Sequence, residues 1–195
     1  MIEVIDNFLS PSYFRALQDM VCSNFFPWSY RGDVTRAAGE NLEQLGALGF
    51  DYGLIHRDSG ALRDSQEAQM AAPCLYQIKD FVECAHVLKA RYDMTVYNPD
   101  KFRHDPHIDL DHPDFVSTIL YMNETDGETL IYEEMCYHTD GVDPTGDYTI
   151  KKSIEPKPNR LLIFDGHHLH TGHSPSKHKN RVLLNSVYGK EINYE

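Results

Sequence analysis

Residues 117–132, STILYMNETDGETLIY, hold two short apolar runs, STILYM and TLIY, rich in β-branched and aromatic side chains. The turn residues Thr125-Asp126-Gly127 part them. Two strands joined by a turn are the reading that fits this pattern. The same signature recurs on both sides, as MTVY (94–97), YTIKKSI (148–154), RLLIF (160–164) and RVLLNSVY (181–188), with Asn-Pro-Asp, Pro-Asn and Asp-Gly at the breaks. The second half of the chain is therefore expected to be a β-sandwich or barrel.

Further toward the N-terminus the period changes. Met1 to Phe8 alternates like a short strand, and Ser10-Pro11 offers an N-cap and a proline for the first turn of a helix over 11–23. Phe14, Leu17 and Val21 share one face of that helix and should be buried. A second helix is expected to begin near Pro73, with Leu75, Ile78, Val82 and Ala85 as its apolar stripe. Residues 24–66, rich in Gly, Asp, Arg and Tyr, read as loops with a short strand over 49–56. No internal repeat or low-complexity tract interrupts the chain.

A length of 195 residues suits one domain spanning 1–195, with 1–91 as helices and substrate-side loops and 92–190 as the β core. Hydrophobic residues make up 41% and charged residues 25%, too apolar a mixture for a disordered chain. The formal charge, 18 − 30 = −12, repels a phosphate backbone, so nucleic acid is not the expected partner. Cys22, Cys74, Cys84 and Cys136 form no CxxC pair and read as reduced, mostly buried thiols of a cytoplasmic protein. The opening lacks the features of a signal peptide, and no stretch reaches about 18 apolar residues, so no membrane span is expected.

Nine of the eleven histidines fall between His104 and His178. Most surface histidines do nothing but meet water, yet His107-Ile108-Asp109 is a different case. Residues i and i+2 of a strand face the same way, so this imidazole and carboxylate can reach one metal ion together. A third donor from a later strand would complete two histidines and one carboxylate with three positions left open, the arrangement of non-haem iron(II) oxygenases. His170, after RLLIF and the turn Asp-Gly, can supply it, but spacing alone does not separate it from His167, His168 and His173. His112-Pro113-Asp114 is a competing HxD, weakened by a proline that cannot join a strand ladder. A closed zinc site would need a fourth ligand, and a zinc hydrolase would want a base of the HExxH kind, which is absent.

With these residues in view, Tyr92 to Tyr188 resembles the double-stranded β-helix family of iron(II)- and 2-oxoglutarate-dependent oxygenases. The resemblance is greatest to its prolyl 4-hydroxylase-like branch. The carrying motifs are HID (107–109), NRLLIFDGHHLH (159–170), LHTGHSP (169–175) and KNRVLLNSVY (179–188), with the IDNFLSP opening (5–11) also typical. The family's distal histidine stands six residues beyond an aromatic that ends a strand, which from Phe164 gives His170. The resemblance implies an α+β, mainly β fold with a jelly-roll, cupin-like double-stranded β-helix core and N-terminal supporting helices. It implies His107, Asp109 and His170 as catalytic metal ligands, Arg181 on the far carboxylate of 2-oxoglutarate, Tyr121 assisting Arg181, and Tyr97 lining the cofactor pocket. Iron(II), 2-oxoglutarate and O2 would be required, with ascorbate as a reductant.

The branch often carries Lys where Arg181 stands, which points toward its oxygen-sensor and phage-like relatives. A prolyl residue in a peptide or protein is then the first candidate substrate, and a free amino acid or other small molecule the second. A carboxylate at 109 favours hydroxylation over halogenation. A binding module of the same fold without turnover is the rival reading, though it would be free to lose a ligand. Trp28 with loop 29–66, which holds Tyr30, Arg31 and Arg36, and loop 133–148 are candidate lids.

Overall fold

A computed structural model of the chain describes residues 1–35, 46–56 and 59–190. The elements run β1 (Ile2–Ile5), α1 (Pro11–Val21), β2 (Ser29–Arg31), β3 (Gly49–Gly53), α2 (Gln66–Phe81), β4 (His86–Val96), β5 (Phe115–Tyr121), β6 (Thr129–Met135), β7 (Ile150–Ile154), β8 (Leu161–Asp165), β9 (His168–Gly172) and β10 (Asn180–Gly189). One antiparallel sheet has the order β1-β8-β5-β10-β4-β3-β2, and a smaller one the order β7-β6-β9. Residues 103–107 lie beside β9 through isolated bridges Arg103 to His173 and His107 to His170. From β4 onward the chain thus passes back and forth between the two sheets, and this winding is the double-stranded β-helix core.

Alternation along the strands sorts the core. Ile119 and Tyr121 on β5, Ile131 on β6, Leu162 and Phe164 on β8 and Leu183 on β10 meet between the sheets. Their neighbours Leu120, Leu161, Ile163, Val182 and Leu184 face the helices instead, as period-2 geometry requires. There they pack with Phe14, Leu17 and Val21 of α1 and Leu75 and Ile78 of α2. β5 and β10 are buried on both faces, so apolar side chains fill most of both, and polar ones such as Ser117 and Asn185 are hydrogen-bonded inside.

Helix α2 corrects the expectation that Pro73 opens it. The helix starts at Gln66, capped by Ser65, whose side chain accepts from Ala68 N at 3.2 Å, and Pro73 lies inside. Val82 caps the C-terminal end, so Ala85 lies outside the helix. A proline within a helix removes one donor and crowds the preceding turn. Here the Tyr13 hydroxyl enters the adjacent break, donating to Met70 O at 2.8 Å and accepting from Cys74 N at 2.9 Å. It bridges the carbonyl and amide that an unbroken helix would pair directly. Tyr13→Phe strands both groups, and a loss of about 1–3 kcal/mol of stability is expected. A urea-unfolding midpoint matching the wild type would contradict this.

The lid expectations are partly corrected. Trp28 packs on Phe26, ring centroids 4.6 Å apart, against the helical core, and Arg31 pairs with Asp51 at 2.6 Å. Tyr30 is exposed, and Arg36 lies outside the described residues. In the other stretch Cys136, Val142 and Tyr148 pack with Leu130, Tyr132 and Leu169. These face away from the space between the sheets, so the 136–148 segment covers the outer side of the small sheet. Thr139 ties it down by donating from N and Oγ1 to Asp111, at 2.6 and 2.9 Å. All four cysteines are free, but only Cys74 and Cys84 are buried. Among the described residues no helix is long and apolar enough to cross a membrane.

Candidate metal and co-substrate site

The pairing of 103–107 with β9 sets His107 opposite His170. Each backbone N–H donates to the other's carbonyl at 3.0 Å, and the imidazole centroids stand 4.5 Å apart. Asp109, two residues on, brings Oδ2 to 3.5 Å from His170 Nε2. One donor atom from each of His107, Asp109 and His170 lies within 4.8 Å of the others, a spacing one metal ion can bridge. Among the described residues no other group of His, Cys, Asp and Glu does this. His112 is partly buried, its Nδ1 near Asp114 O at 3.0 Å, and it lies outside the cluster. His167 bonds His112 O, and His173 bonds Glu128 O.

Ring orientation is fixed from behind. His107 Nδ1 lies 3.0 Å from Asp105 O and His170 Nδ1 3.2 Å from His168 O. A carbonyl only accepts, so each ring keeps its proton on Nδ1 and presents the Nε2 lone pair. Asp109 accepts from Lys89 Nζ at 3.0 Å, Ser117 Oγ at 2.8 Å and Asn185 Nδ2 at 3.2 Å. Burial works to raise its pKa, but the Lys89 ammonium, with His170 and His107, outweighs it and holds the carboxyl well below the usual range.

Burial, with His170 next in weight, pushes His107 down to about 3, and burial with the nearby Arg181 charge pushes His104 down to about 4. Unfolded imidazoles titrate near 6.5. Below that pH the unfolded chain binds more protons than the folded one, so stability falls as pH falls. The metal-free protein is expected to lose up to roughly 1.4 kcal/mol per pH unit per histidine between about pH 6.5 and 4. A urea midpoint that stays flat across this range would contradict it.

A cavity leads from His107 and His170 to Arg181, walled by Ile119 and Leu183. Arg181 is 4% exposed. Its Nη2 donates to Thr129 Oγ1 at 2.7 Å, which also bonds the Tyr121 hydroxyl at 2.7 Å, and its Cζ stands 5.5 Å from the Tyr121 ring centroid. A Cβ on Gly172 would come within 3.2 Å of Arg181 Nη1, so a residue without a side chain leaves the guanidinium its room. Four buried polar atoms without a partner, Arg181 Nε, Thr95 Oγ1, His104 Nδ1 and Asn185 Oδ1, belong to residues lining this cavity. Buried polar groups are rarely left unpaired, and a ligand carboxylate could accept from Arg181 Nε and Thr95 Oγ1.

Tyr97 departs from expectation. It is 54% exposed and does not line the cavity; Thr95, 6% exposed, takes the wall position opposite Arg181. Register explains this: β4 ends at Val96 opposite Asn180, where β10 begins, so Tyr97 has left the sheet. Tyr121 is fully buried and reaches Arg181 through Thr129. Lys89, Asn185, Thr129, Thr95 and His104 went unseen in the sequence, where nothing marks a polar residue on a strand until its register is known.

Several solved structures share this fold. A prolyl-4-hydroxylase from Pseudomonas putida aligns with a TM-score of 0.60 at 14% identity, covering 97% of this chain and 92% of that one. A prolyl hydroxylase from Trichoplax adhaerens, in complex with a hypoxia inducible factor oxygen degradation domain peptide fragment, aligns at 0.67 and 14%, covering 97% and 83%. The non-heme alpha ketoglutarate dependent epimerase SnoN from nogalamycin biosynthesis aligns at 0.66 and 8%, covering 97% and 76%. No curated protein matches by sequence. The model of the 2OG-Fe(II) oxygenase superfamily matches residues 92–188, about half of the chain and the part that carries the triad and Arg181, and the chain belongs to that superfamily.

Proposed function

We propose that this dioxygenase hydroxylates a C–H bond, with a prolyl residue in a peptide or protein as the first candidate substrate. His107, Asp109 and His170 hold the iron(II), and Arg181 holds the far carboxylate of 2-oxoglutarate. The observation that carries the reading is the pairing of a three-ligand cluster with a buried arginine whose Nε has no partner, at two ends of one cavity. Iron(II) and 2-oxoglutarate supply the oxidising chemistry when bound, consuming O2 and releasing succinate and CO2. The protein's part is to orient and exclude. The two Nε2 atoms and Asp109 occupy one side of the ion and leave the other for ligands. The planar guanidinium can give a carboxylate two parallel hydrogen bonds in a site closed to water. Tyr121 and Thr129 brace it.

On the large sheet the Arg31–Asp51 pair, at 2.6 Å, lies near the Arg91–Asp93 pair, at 2.9 Å, and the second pair lines the cavity. A polar surface of this kind suits a peptide backbone better than an apolar substrate. The likeness to two prolyl hydroxylases, one bound to a peptide, supports the same reading. The likeness to an epimerase keeps a small-molecule substrate as the second reading. We place 1–91 and 92–190 in one oxygenase domain. Free cysteines fit a reducing cytoplasm. The test is anaerobic loading with Fe(II) and 2-oxoglutarate, with ascorbate as reductant, then O2, with succinate measured against a panel of proline-containing peptides and free amino acids. Succinate stimulated by a peptide with a +16 Da product supports the reading. Stimulation only by a small molecule supports the second, and no succinate under any condition overturns both.

A further inference from the structure

The carboxylate of Asp109 is held unevenly. Oδ1 accepts from Lys89 Nζ at 3.0 Å and Asn185 Nδ2 at 3.2 Å, while Oδ2 accepts from Ser117 Oγ at 2.8 Å, with Asn185 Nδ2 more distant at 3.4 Å. Oδ2 is also the atom beside His170 Nε2, at 3.5 Å. Lys89 reaches in from β4 to meet both Oδ1 and the main-chain carbonyl of Asp109, at 3.3 Å. Its side chain is 25% exposed, whereas that of Asp109 is 1% exposed. A carboxylate can chelate a metal with both oxygens only if both have lone pairs to spare, and here Oδ1 is engaged by a full positive charge and an amide.

From this arrangement we infer that Lys89 is a positioning residue for the metal centre. It restricts Asp109 to coordination through Oδ2 and makes the bound ion a stronger electron acceptor. The inference rests on the triad being the iron site. Its first consequence is geometric: one oxygen from Asp109 keeps three positions open, two for the 2-oxo acid and one for O2. Its second is electrostatic. An ammonium next to the carboxylate weakens Asp109 as a donor and repels the cation, so it lowers iron affinity. The same charge raises affinity for a dianionic chelator arriving at that ion. In a buried site with an effective dielectric near 20 such an effect is expected to be at least about tenfold in each constant.

Both signs can be read without turnover. Anaerobic Fe(II) titration against a competing chelator gives the iron affinity. The visible charge-transfer band of the ferrous 2-oxoglutarate complex then gives co-substrate affinity and the electron richness of the ion. Lys89→Met is expected to bind Fe(II) at least about tenfold more tightly and 2-oxoglutarate at least about tenfold more weakly than wild type. Its band should move to longer wavelength, because a more electron-rich ion needs less energy to transfer charge. Lys89→Arg should restore all three readouts. Lys89→Gln, which keeps a donor but no charge, should follow Lys89→Met in iron affinity and carries the test if the Met variant fails to fold. Weaker Fe(II) binding with an unshifted band in the Met and Gln variants would mean Lys89 only props up the strand, and the inference falls. A wild-type protein that takes up no Fe(II) would remove the inference together with the reading beneath it.

Discussion

His170→Ala is expected to abolish succinate formation, and His107→Ala to do the same, while His112→Ala leaves it within about twofold of wild type. The two histidines face each other across a reciprocal backbone pair and share Asp109. Removing either leaves two protein donors, too few to hold a ferrous ion against water. Loss of a mere outer-shell partner typically costs 10–100-fold in metal affinity, so loss of a ligand should cost at least about a hundredfold. His112 lies outside that cluster, with its Nδ1 at Asp114 O, and should contribute nothing. Anaerobic Fe(II) binding, measured with succinate release, checks all three variants. Iron loss in His112→Ala with retention in His107→Ala would move the site to the other HxD.

Arg181→Leu should raise the 2-oxoglutarate requirement about a hundredfold with iron affinity essentially unchanged. Charged hydrogen bonds in a buried setting contribute roughly 1.5–3 kcal/mol each, and about 3 kcal/mol corresponds to a factor near a hundred. Leucine also leaves the incoming carboxylate buried without a counter-charge. Arg181 has no hydrogen bond to any of the three candidate ligands and lies at the far end of the cavity with Thr129 and Tyr121, so the two affinities should separate. Equal losses of iron and 2-oxoglutarate affinity would show that the arginine holds the barrel together instead.

What the sequence yielded and withheld follows from where water and ligand meet the strands. β5 and β10 are buried on both faces, and their β-branched, leucine and tyrosine residues mark them as strands. β4 extends ten residues before Val96, yet only its last turn of sequence, MTVY, looks like a strand. Its cavity-facing positions are Arg91, Asp93 and Thr95, which pair across to Asn185, Leu183 and Arg181, with Lys89 on the same face opposite Val187. β9, HLHTG, is hidden for the same reason, since a wall that can bind a metal cannot be apolar. A motif fixes the order of His107, Asp109, His170 and Arg181 along the chain, and the fold brings the first three together. The partners that hold Asp109 come from β4, β5 and β10, and only the folded register brings them together. Pro73 misled because proline is common at a helix start, whereas here a tyrosine from α1 makes it tolerable further in.

The most direct test is a crystal structure of the protein grown anaerobically with Fe(II) and 2-oxoglutarate. One ion should be bound by His107 Nε2, His170 Nε2 and a single oxygen of Asp109, with no fourth protein donor, and the far carboxylate of 2-oxoglutarate should lie on Arg181. An ion held elsewhere, or one closed off by another side chain, would contradict the account.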